Sequence, residues 1–389
     1  MKKVLVLGAT GSIGASTLRV ISEKKDLYTP VGFSANKDYK KLQELNAQYP
    51  GAMFCLTGLT KDDLPFKPDS NWFFGKTGLE EFIQNSGAEI CINGIAGSPG
   101  LFASVKVLEN GINLALANKE TMVMAGDLIK KTAKKNHCCI IPVDSEHSAV
   151  FFLITSLKKC FSEFNEPIIS RIILTASGGP FRTWEKNKIM TAKLSDALKH
   201  PTWSMGRKIT VDSATMANKG LEVIEAWQLF DISPDKITVT VHPQSLVHSM
   251  VELIDNSVYA QLSQPDMAHP IAQALSYPYC VNSGFRPFDF SSFLTISFEP
   301  PRSDVFRMLP LAYETIKKGG FYPVVYNGAN EIAVESFIQG KITFGEISRI
   351  VEECLQKDWN GVPDSYESVE DCNIQCKEIS RRIISKTEV

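Results

Sequence analysis

Short apolar runs alternate with amphipathic stretches along the first third of the chain. The first run, Val4–Leu7, is continuously apolar, which is typical of a parallel strand buried on both faces. Gly8, Gly11 and Gly14 follow at a spacing of three and lead into a stretch with helical periodicity. A strand, a glycine turn and a helix in this order predict a site where backbone N–H groups approach a pyrophosphate.

The same alternation continues beyond this turn. Helices are predicted at Gly100–Asn110 and Glu120–Asn136. Further strands are predicted at Thr29–Asn36, Gly51–Gly58, Ala88–Gly97, Asn113–Asn118 and His137–His147. Strands that alternate with helices predict an α/β fold with a doubly wound parallel sheet, which binds ligands beyond the carboxyl ends of its strands.

The end of the second predicted strand indicates which nucleotide would bind. In NAD-specific folds an acidic residue at this point accepts the ribose 2′-hydroxyl. Here the strand ends in Ser34, Ala35 and Asn36, without an acid, and Lys37 follows. The sequence therefore favours NADP(H), with Lys37 either a counter-charge for the 2′-phosphate or a solvated surface lysine.

Two carboxylates follow the last predicted strand of this sheet. Asp144 and Glu146 are two residues apart, so both lie on one face if the extended geometry continues. Carboxylate oxygens in such an arrangement suit Mg²⁺ or Mn²⁺. The alternative is that Asp144 or Ser145 caps the helix that the following apolar residues predict.

A second polar cluster lies in the stretch "VDSATMANKGLEVIEAWQLF", which is predicted to be helical. Asn218 and Glu222 are four residues apart and share a helix face, with Lys219 adjacent and Ser213 before them. These residues offer hydrogen-bond donors and a cation to a phosphate and a carboxylate to a metal, unless they form a solvated polar face. Gly220 inside the helix indicates the close approach of a ligand.

Two loops with glycine flank this helix. In "SGGPF", Ser177 and the glycines can present a hydroxyl and backbone donors to a phosphate. In "HPTWSMGRK", His200, Trp203 and Met205 lie beside proline and glycine. This composition indicates a lid that excludes water, unless Trp203 merely covers the core.

Composition narrows the class of protein. The chain has 389 residues, 44% of them hydrophobic and 22% charged, which is typical of a globular protein with two or three domains. The net charge of −2 argues against a nucleic-acid partner. No apolar run is long enough to predict a membrane span, and nine cysteines without paired spacing favour reduced thiols in a cytoplasmic protein.

Eight motifs stand in one order along the chain: "GATGSIGAST", "LANKE", "VDSEHSA", "SGGPF", "HPTWSMGRKITVDSATMANKGLE", "VHPQSLVHSMVE", "QPDMAHPIAQAL" and "NGANEIAV". With them the chain resembles, over nearly its whole length, the 1-deoxy-D-xylulose 5-phosphate reductoisomerases. The resemblance implies an NADPH- and Mg²⁺- or Mn²⁺-dependent rearrangement and reduction to 2-C-methyl-D-erythritol 4-phosphate, in non-mevalonate isoprenoid biosynthesis. The implied partners are a phosphorylated sugar substrate and a second copy of the chain in a homodimer.

The resemblance also implies roles for individual residues. The metal ligands are Asp144, Glu146 and Glu222, and the catalytic residues are Glu146, Lys119 and His200. The substrate-binding residues are Ser145, Ser177, His200, Trp203, Met205, Ser213, Asn218, Lys219 and Glu222. The residues expected to contact NADPH are Thr10, Gly11, Ser12, Ile13, Ser34, Ala35, Asn36, Asn118, Glu120 and Gly206.

The implied architecture has three domains and a linker. We expect a Rossmann-like NADPH-binding domain over 1–144 and an α+β catalytic and dimerisation domain over 145–276, with a lid loop at 198–208. The stretch "ITVTVHPQSLVHSMVELIDNSVYAQLS" alternates in a way that suits a mixed sheet. Pro-, Phe- and Ser-rich composition predicts a linker over 277–302, and helical periodicity a small C-terminal helical domain over 303–389.

Two other functions stay open from the sequence. "LANKE" also resembles a stretch of homoserine dehydrogenases, so a metal-independent NADP-dependent dehydrogenase is one alternative. A non-catalytic nucleotide sensor is the second alternative. The many polar residues of the helix that carries Asn218 and Glu222 argue against a sensor. Activity that survives a chelator would favour the metal-independent dehydrogenase.

Overall fold

The structure is a computed structural model that describes residues 1–162, 168–203, 205–291 and 294–386. Small parts of four predicted segments lie outside the described residues. They are residues 163–167 of the catalytic and dimerisation domain, Ser204 of the lid loop, residues 292–293 of the linker and residues 387–389 of the C-terminal domain.

Seven strands from the first part of the chain form one parallel sheet. They are β1 (Lys2–Leu7), β2 (Tyr28–Ala35), β3 (Met53–Leu56), β4 (Trp72–Phe74), β5 (Ile90–Asn93), β6 (Asn113–Leu116) and β7 (Ile140–Pro142). Their order is β4-β3-β2-β1-β5-β6-β7. The order reverses at β1, which opens a crevice for a ligand at its carboxyl end, so the doubly wound sheet is confirmed.

Helices follow the strands as the alternation predicts. They are α1 (Ser12–Glu23), α2 (Tyr39–Gln48), α3 (Gly75–Asn85), α4 (Pro99–Glu109), α5 (Lys119–Lys135) and α6 (Ser145–Cys160). Val4–Leu7 of β1 is fully buried, as a strand covered on both faces requires.

The edge strand β4 is absent from the sequence-based prediction. Its Trp72 stacks on Phe54 of β3 with ring centroids 5.2 Å apart, and Phe54 stacks on Phe33 of β2 at 5.9 Å. The aromatic run Trp72–Phe74 favours a strand but is only three residues long, so these contacts with distant strands complete it.

A second sheet of four strands lies in the middle of the chain. The strands are β8 (Ile169–Ala176), β9 (Ile237–Val241), β10 (Val247–Leu253) and β11 (Val258–Leu262), in the order β11-β10-β8-β9. β8 and β9 are parallel, whereas β10 is antiparallel to both β8 and β11. The predicted mixed sheet is confirmed.

The remaining helices include four that form the C-terminal helical region. In chain order the helices are α7 (Lys186–Met190), α8 (Leu194–Ala197), α9 (Arg207–Ala214), α10 (Ala217–Phe230), α11 (Ala268–Ser276), α12 (Met308–Lys318), α13 (Tyr322–Ile338), α14 (Phe344–Leu355) and α15 (Tyr366–Ser385). Among the described residues, no helix combines the length and apolar character that a bilayer span requires.

Contacts between Cα atoms divide the described chain into two units. The first comprises Met1–Thr121, Ile129–Ser148 and Asp266–Pro287, and the second comprises the other described residues. The first unit thus includes α11, where Lys2 Nζ donates to the carbonyl of Leu275 at 2.7 Å. The four-part division expected from the sequence rests on another criterion and stays a prediction.

Candidate functional site

The glycine turn after β1 is built for close backbone approach. Gly8 has a φ of +77°, and a Cβ there would lie 2.8 Å from the carbonyl oxygen of Gly94. A Cβ on Gly14 would clash with the backbone of Ala9, so α1 packs directly on the turn. Gly11 stands at the N-cap of α1 without a side-chain cap. The first N–H groups of α1 therefore lack intrahelical acceptors and can bind an anion.

The end of β2 is joined to this turn. Ser34 Oγ accepts from Gly8 N–H at 3.2 Å, and the Ser34 carbonyl accepts from Ala9 N–H at 2.7 Å. Ser34 and Ala35 are buried, whereas Asn36 and Lys37 are exposed. Only the last two side chains can reach an incoming ligand from this strand end.

Asn118 and Glu120, two predicted cofactor contacts, belong to a buried network. Asn118 Nδ2 donates to the carbonyls of Ile95 and Gly97, at 2.7 and 2.9 Å, and to Glu120 Oε2 at 3.0 Å. Its Oδ1 accepts from Thr121 N–H at 2.9 Å and caps α5. The Asn118 side chain is thus committed to the fold, and its backbone is what could face a cofactor.

Lys119 and Asp144 form a buried ion pair in the first unit. Lys119 Nζ lies 2.5 Å from Asp144 Oδ2, and His147 Nδ1 lies 3.8 Å from Asp144 Oδ1. Burial raises the pKa of the Asp144 carboxyl, but Lys119 and His147 outweigh burial and hold that pKa well below its usual range. Asp144 is therefore a carboxylate, the form in which it can bind a cation.

Glu146 does not share a strand face with Asp144, which corrects one expectation. The extended backbone ends before Ser145, the first residue of α6, and Ser148 N–H donates to the Asp144 carbonyl at 2.8 Å. Glu146 lies in the first turn of α6, where Ser145 Oγ donates to its Oε2. Helix formation here overrides the period of two because an apolar helical stretch follows directly.

His147 was missed by the sequence analysis. It is fully buried, and its position three residues after Asp144 brings it to that carboxylate once α6 forms. The sequence "VDSEH" indicates this contact only when the helix is taken to begin at Ser145.

Ser177 and His200 meet in the second unit. Ser177 Oγ lies 3.0 Å from His200 Nε2, and His200 Nδ1 accepts from the N–H groups of Thr202 and Trp203 at 3.2 and 2.9 Å. Because Nδ1 is an acceptor, Nε2 carries the proton of the neutral ring and donates to Ser177. Burial lowers the pKa of His200 to about 4, so the ring is neutral at pH 7.

The turn after Ser177 touches the helix that carries Ser213. Gly178 and Gly179 have φ values of +82° and +67°, and a Cβ on Gly179 would lie 2.7 Å from the Ser213 carbonyl oxygen. Gly179 N–H also donates to Ser177 Oγ at 3.2 Å. This approach brings two of the predicted phosphate residues, Ser177 and Ser213, to one place.

The predicted long helix is two helices. α9 ends at Ala214 and α10 begins at Ala217, with Met216 between them in the left-handed region at a φ of +63°. Ser213 therefore does not share a helix face with Asn218 and Glu222. A non-glycine residue with this φ is strained, so surrounding packing must hold the junction.

The start of α10 gathers the other polar residues of this group. Asn218 Nδ2 donates to Glu222 Oε1 at 2.6 Å, and Lys219 Nζ forms an ion pair with Glu222 Oε2. The predicted shared face of Asn218 and Glu222 is confirmed. Lys219 and Glu222 are 3% and 1% exposed, so the alternative of a solvated polar face is wrong.

Gly220 approaches a neighbouring helix. A Cβ at this position would clash with the Tyr326 hydroxyl of α13 and lie 3.2 Å from the Met308 carbonyl oxygen. The glycine was interpreted as a sign of ligand approach, and the structure shows the close approach of protein instead.

The described part of the lid loop surrounds His200. The Trp203 ring lies 6.3 Å from the His248 ring, and Thr202 Oγ1 donates to the Pro243 carbonyl at 3.4 Å. Trp203 and Met205 are half-buried, and Gly206 caps α9. The loop belongs to the second unit and contacts the segments that carry Pro243 and His248 through side chains near its start.

Comparisons with known proteins cover both units. Family models described as 1-deoxy-D-xylulose 5-phosphate reductoisomerase, its C-terminal domain and DXP reductoisomerase C-terminal domain match residues 4–126, 140–230 and 262–379. The chain is 48% identical over 379 residues to the 1-deoxy-D-xylulose 5-phosphate reductoisomerase of Treponema denticola, covering 97% of this chain and 96% of the relative. Identity to the Treponema pallidum enzyme is 40% over 386 residues, covering 99% and 98%.

Solved structures of reductoisomerases are also similar to this chain. The Zymomonas mobilis reductoisomerase in complex with NADPH matches with a TM-score of 0.88 at 38% identity, covering 98% of this chain and 99% of the other. A DOX-P reductoisomerase in complex with NADPH, fosmidomycin and magnesium matches with a TM-score of 0.89 at 35% identity, covering 99% and 98%.

Proposed function

The chain belongs to the 1-deoxy-D-xylulose 5-phosphate reductoisomerase family, and from that premise we propose roles for its residues in the family's reaction. It is an NADPH-dependent oxidoreductase that isomerises and reduces 1-deoxy-D-xylulose 5-phosphate to 2-C-methyl-D-erythritol 4-phosphate with a divalent cation. One observation carries this function: 48% identity to a reductoisomerase over 97% of the chain. The metal-independent dehydrogenase has no support of this kind.

The glycine turn and the strand ends beside it form the proposed NADPH-binding site. The N–H groups of Gly11, Ser12 and Ile13 at the start of α1 bind the pyrophosphate, together with Thr10. Asn36 is the exposed contact to the adenosine ribose, while the buried Ser34 and Ala35 hold the turn in place. Further proposed contacts are Asn118 through its backbone, Glu120 and Gly206.

The proposed metal ligands are Asp144, Glu146 and Glu222. The residues fit a hard divalent cation, because all three offer carboxylate oxygens and Asp144 is held ionised beside Lys119. When bound, the cation polarises the two oxygens of the substrate's hydroxyketone as a Lewis acid, and NADPH supplies hydride.

Ser177, Ser213, Asn218 and Lys219 form the proposed phosphate-binding group. Ser177 Oγ accepts from His200 Nε2 and Gly179 N–H, so its own hydroxyl proton points to another acceptor. Lys219 supplies positive charge that neutralises part of the phosphate. Binding this remote group positions the reacting end of the substrate.

Proton movements at the substrate are assigned to Glu146 and Lys119. Glu146 accepts the hydroxyl proton that leaves as the carbon skeleton rearranges, and Lys119 donates to the carbonyl oxygen. Ser145 and His200 orient the substrate hydroxyls, with His200 donating as a neutral ring. Trp203 and Met205 in the lid loop 198–208 exclude water from the bound substrate.

A homodimer is proposed through the second sheet. β11 is an edge strand, and its Val258 and Tyr259 are 49% and 40% exposed. Ile254, in the turn before it, is 57% exposed. An exposed apolar edge strand is a ready template for pairing with another chain. Sedimentation at micromolar concentration should give the mass of two chains, and Val258→Lys should lower it to one.

Two further proposals concern the domain limits and the cellular compartment. The domain limits 1–144, 145–276, 277–302 and 303–389 are proposed as functional divisions, although α11 is in the first unit by its contacts. The cytoplasm is the proposed compartment, since all nine cysteines are free thiols, including the exposed Cys139, Cys160 and Cys280.

The test of the function is the loss of NADPH absorbance with 1-deoxy-D-xylulose 5-phosphate. Oxidation should proceed with Mg²⁺ and stop when EDTA is added, and Glu222→Gln should abolish it. Oxidation that EDTA leaves unchanged would support the metal-independent dehydrogenase, and NADPH binding without oxidation would support a sensor.

A further inference from the structure

One motif of the sequence has no role so far. "NGANEIAV" lies in the middle of α13, where Asn327 and Asn330 are both fully buried. Burying an amide costs free energy unless it is hydrogen-bonded. The partner of Asn330 therefore indicates what this helix does.

Asn330 binds a buried carboxylate on α9. Its Nδ2 donates to Asp212 Oδ1 at 2.7 Å, and Lys208 Nζ lies 2.9 Å from Asp212 Oδ2. Asp212 is 1% exposed, so the amide and the ammonium satisfy a charge that water cannot reach. Asp212 directly precedes Ser213 in the chain.

The Asn330 amide is oriented so that its donor is hydrogen-bonded and its oxygen is not. Asn330 Oδ1 is buried and has no hydrogen-bond partner, because the amide directs its donor to the carboxylate. An apolar residue would fill the same volume without leaving an oxygen unpaired. An apolar residue would, however, leave the buried Asp212 carboxylate without one of its donors.

A second contact from α13 reaches the other side of the α9–α10 junction. The Tyr326 hydroxyl lies against Gly220 of α10 and donates to the Met308 carbonyl at 3.0 Å. Asp212 lies four residues before the strained Met216, and Gly220 lies four residues after it. α13 thus contacts the chain on both sides of the junction.

Three residues of the proposed phosphate site lie between those two contacts. We name residues 213–219 the phosphate segment, since they include Ser213, Asn218 and Lys219. The segment has to turn through a left-handed residue that nothing local favours. Its two ends are each contacted by one helix, α13.

We propose that Asn330 and Asp212 are positioning residues: their hydrogen bond fixes α9 on α13 and so places the phosphate segment for the substrate. The pair acts through Ser213 and its neighbours and touches neither substrate nor cofactor. This inference rests on the proposed function in one respect, that the phosphate segment binds the substrate's phosphate.

The test compares single and exchanged variants of the full-length enzyme. Asp212→Asn replaces the carboxylate of the pair with a neutral amide, and Asn330→Asp replaces its donor with a second carboxylate. The double variant Asp212→Asn/Asn330→Asp again pairs one amide with one carboxylate on exchanged sides, with Lys208 left beside the amide. For each, kcat and KM are measured with 1-deoxy-D-xylulose 5-phosphate and with NADPH. Asn373→Asp is the matched control, because Asn373 is a buried amide of α15 that lies against α13.

Each single variant should raise KM for the sugar phosphate about tenfold or more, the size expected when a hydrogen bond to a charged group is lost. KM for NADPH should change by less than about threefold, since a purely structural defect would not separate the two. The double variant should recover most of the loss. The control should lower the melting temperature without this split in KM.

Several results would overturn the inference. They are single variants with wild-type KM for the sugar phosphate, a double variant as impaired as the singles, or a control with the same split. If Asp212→Asn does not fold, Asn330→Ala removes the donor and leaves Lys208 paired with Asp212, and the same KM criterion applies. Ser213→Ala distinguishes a failure of the proposed function from a failure of this inference. An unchanged KM for the sugar phosphate in Ser213→Ala refutes the phosphate role of Ser213. An increased KM in Ser213→Ala, together with wild-type KM in the Asp212 and Asn330 variants, refutes only the positioning role of Asp212 and Asn330.

Discussion

At the residue scale, the chemistry depends on which atom of each side chain is already engaged. His200 is the clearest example, because its Nδ1 accepts two backbone N–H groups and so fixes the proton on Nε2. That proton is donated to Ser177, whose hydroxyl is then directed elsewhere. A chain of two hydrogen bonds thus converts an ordinary serine into a donor with one orientation.

Ser177→Ala should raise KM for 1-deoxy-D-xylulose 5-phosphate and leave KM for NADPH unchanged. A hydrogen bond to a charged group contributes about 1.5–3 kcal/mol, so an increase of roughly ten- to a hundredfold is expected. Steady-state kinetics measure it, with the exposed Ser22→Ala as the matched control. Equal kinetics of the two variants would remove Ser177 from the phosphate site.

His200 should make folding stability depend on pH. Its pKa is about 4 in the folded protein and near 6.5 when unfolded, so between these values the unfolded chain binds more protons. Stability contributed by the neutral ring is present above pH 6.5 and is lost as pH falls through this range. Melting temperatures between pH 7 and 4.5 should fall less steeply for His200→Asn than for wild type, and parallel curves would contradict the pKa.

At the element scale, glycines decide how closely helices approach. Gly14 lets α1 pack on the turn after β1, and Gly220 lets α10 pack on α13. Both helices carry proposed ligand residues near their starts. Close packing therefore fixes two binding elements at positions where any side chain would push the helix away.

Gly220→Ala should destabilise the protein although alanine favours helices. The new methyl group clashes with the Tyr326 hydroxyl, and overpacking of this kind costs about 1–3 kcal/mol. Removing the hydroxyl in Gly220→Ala/Tyr326→Phe should recover part of the loss, measured by urea unfolding. Gly51→Ala, at a position with open space, is the control. A double variant no more stable than Gly220→Ala would mean that another contact causes the strain.

At the scale of the whole molecule, each of the two units buries a carboxylate beside a lysine. Asp144 and Glu146 belong to the first, and Glu222 belongs to the second. Each unit holds its own carboxylates with a lysine: Lys119 beside Asp144, and Lys219 beside Glu222. Each lysine offsets negative charge where carboxylates are buried.

Mg²⁺ should stabilise the folded protein and Asp144→Asn should abolish that effect. A ligand at a hundred times its dissociation constant stabilises by about 2.7 kcal/mol, which raises the melting temperature. The measured quantity is the difference in melting temperature between Mg²⁺ and EDTA for each variant, so a change in basal stability cancels. Asp127→Asn, on the exposed side of α5, is the control, and an undiminished shift in Asp144→Asn would exclude Asp144 as a ligand.

The sequence by itself determined those features that depend on local order along the chain. Apolar runs and glycine spacing predicted β1, α1 and the doubly wound sheet, because backbone geometry and burial impose their own periods. The motifs, which are read in order, identified the family and predicted its ligand residues. Asn218 and Glu222 were correctly placed on one face, since four residues make about one helical turn.

The tertiary structure alone decided what distant segments do to each other. It added β4 through aromatic stacking, brought His147 to Asp144, and broke the predicted long helix at Met216. It also gave Gly220 a protein neighbour and Asn330 a buried carboxylate, 118 residues away in the chain. No local pattern encodes such contacts, because their free energy comes from burial and hydrogen bonding between segments that meet only in the folded chain.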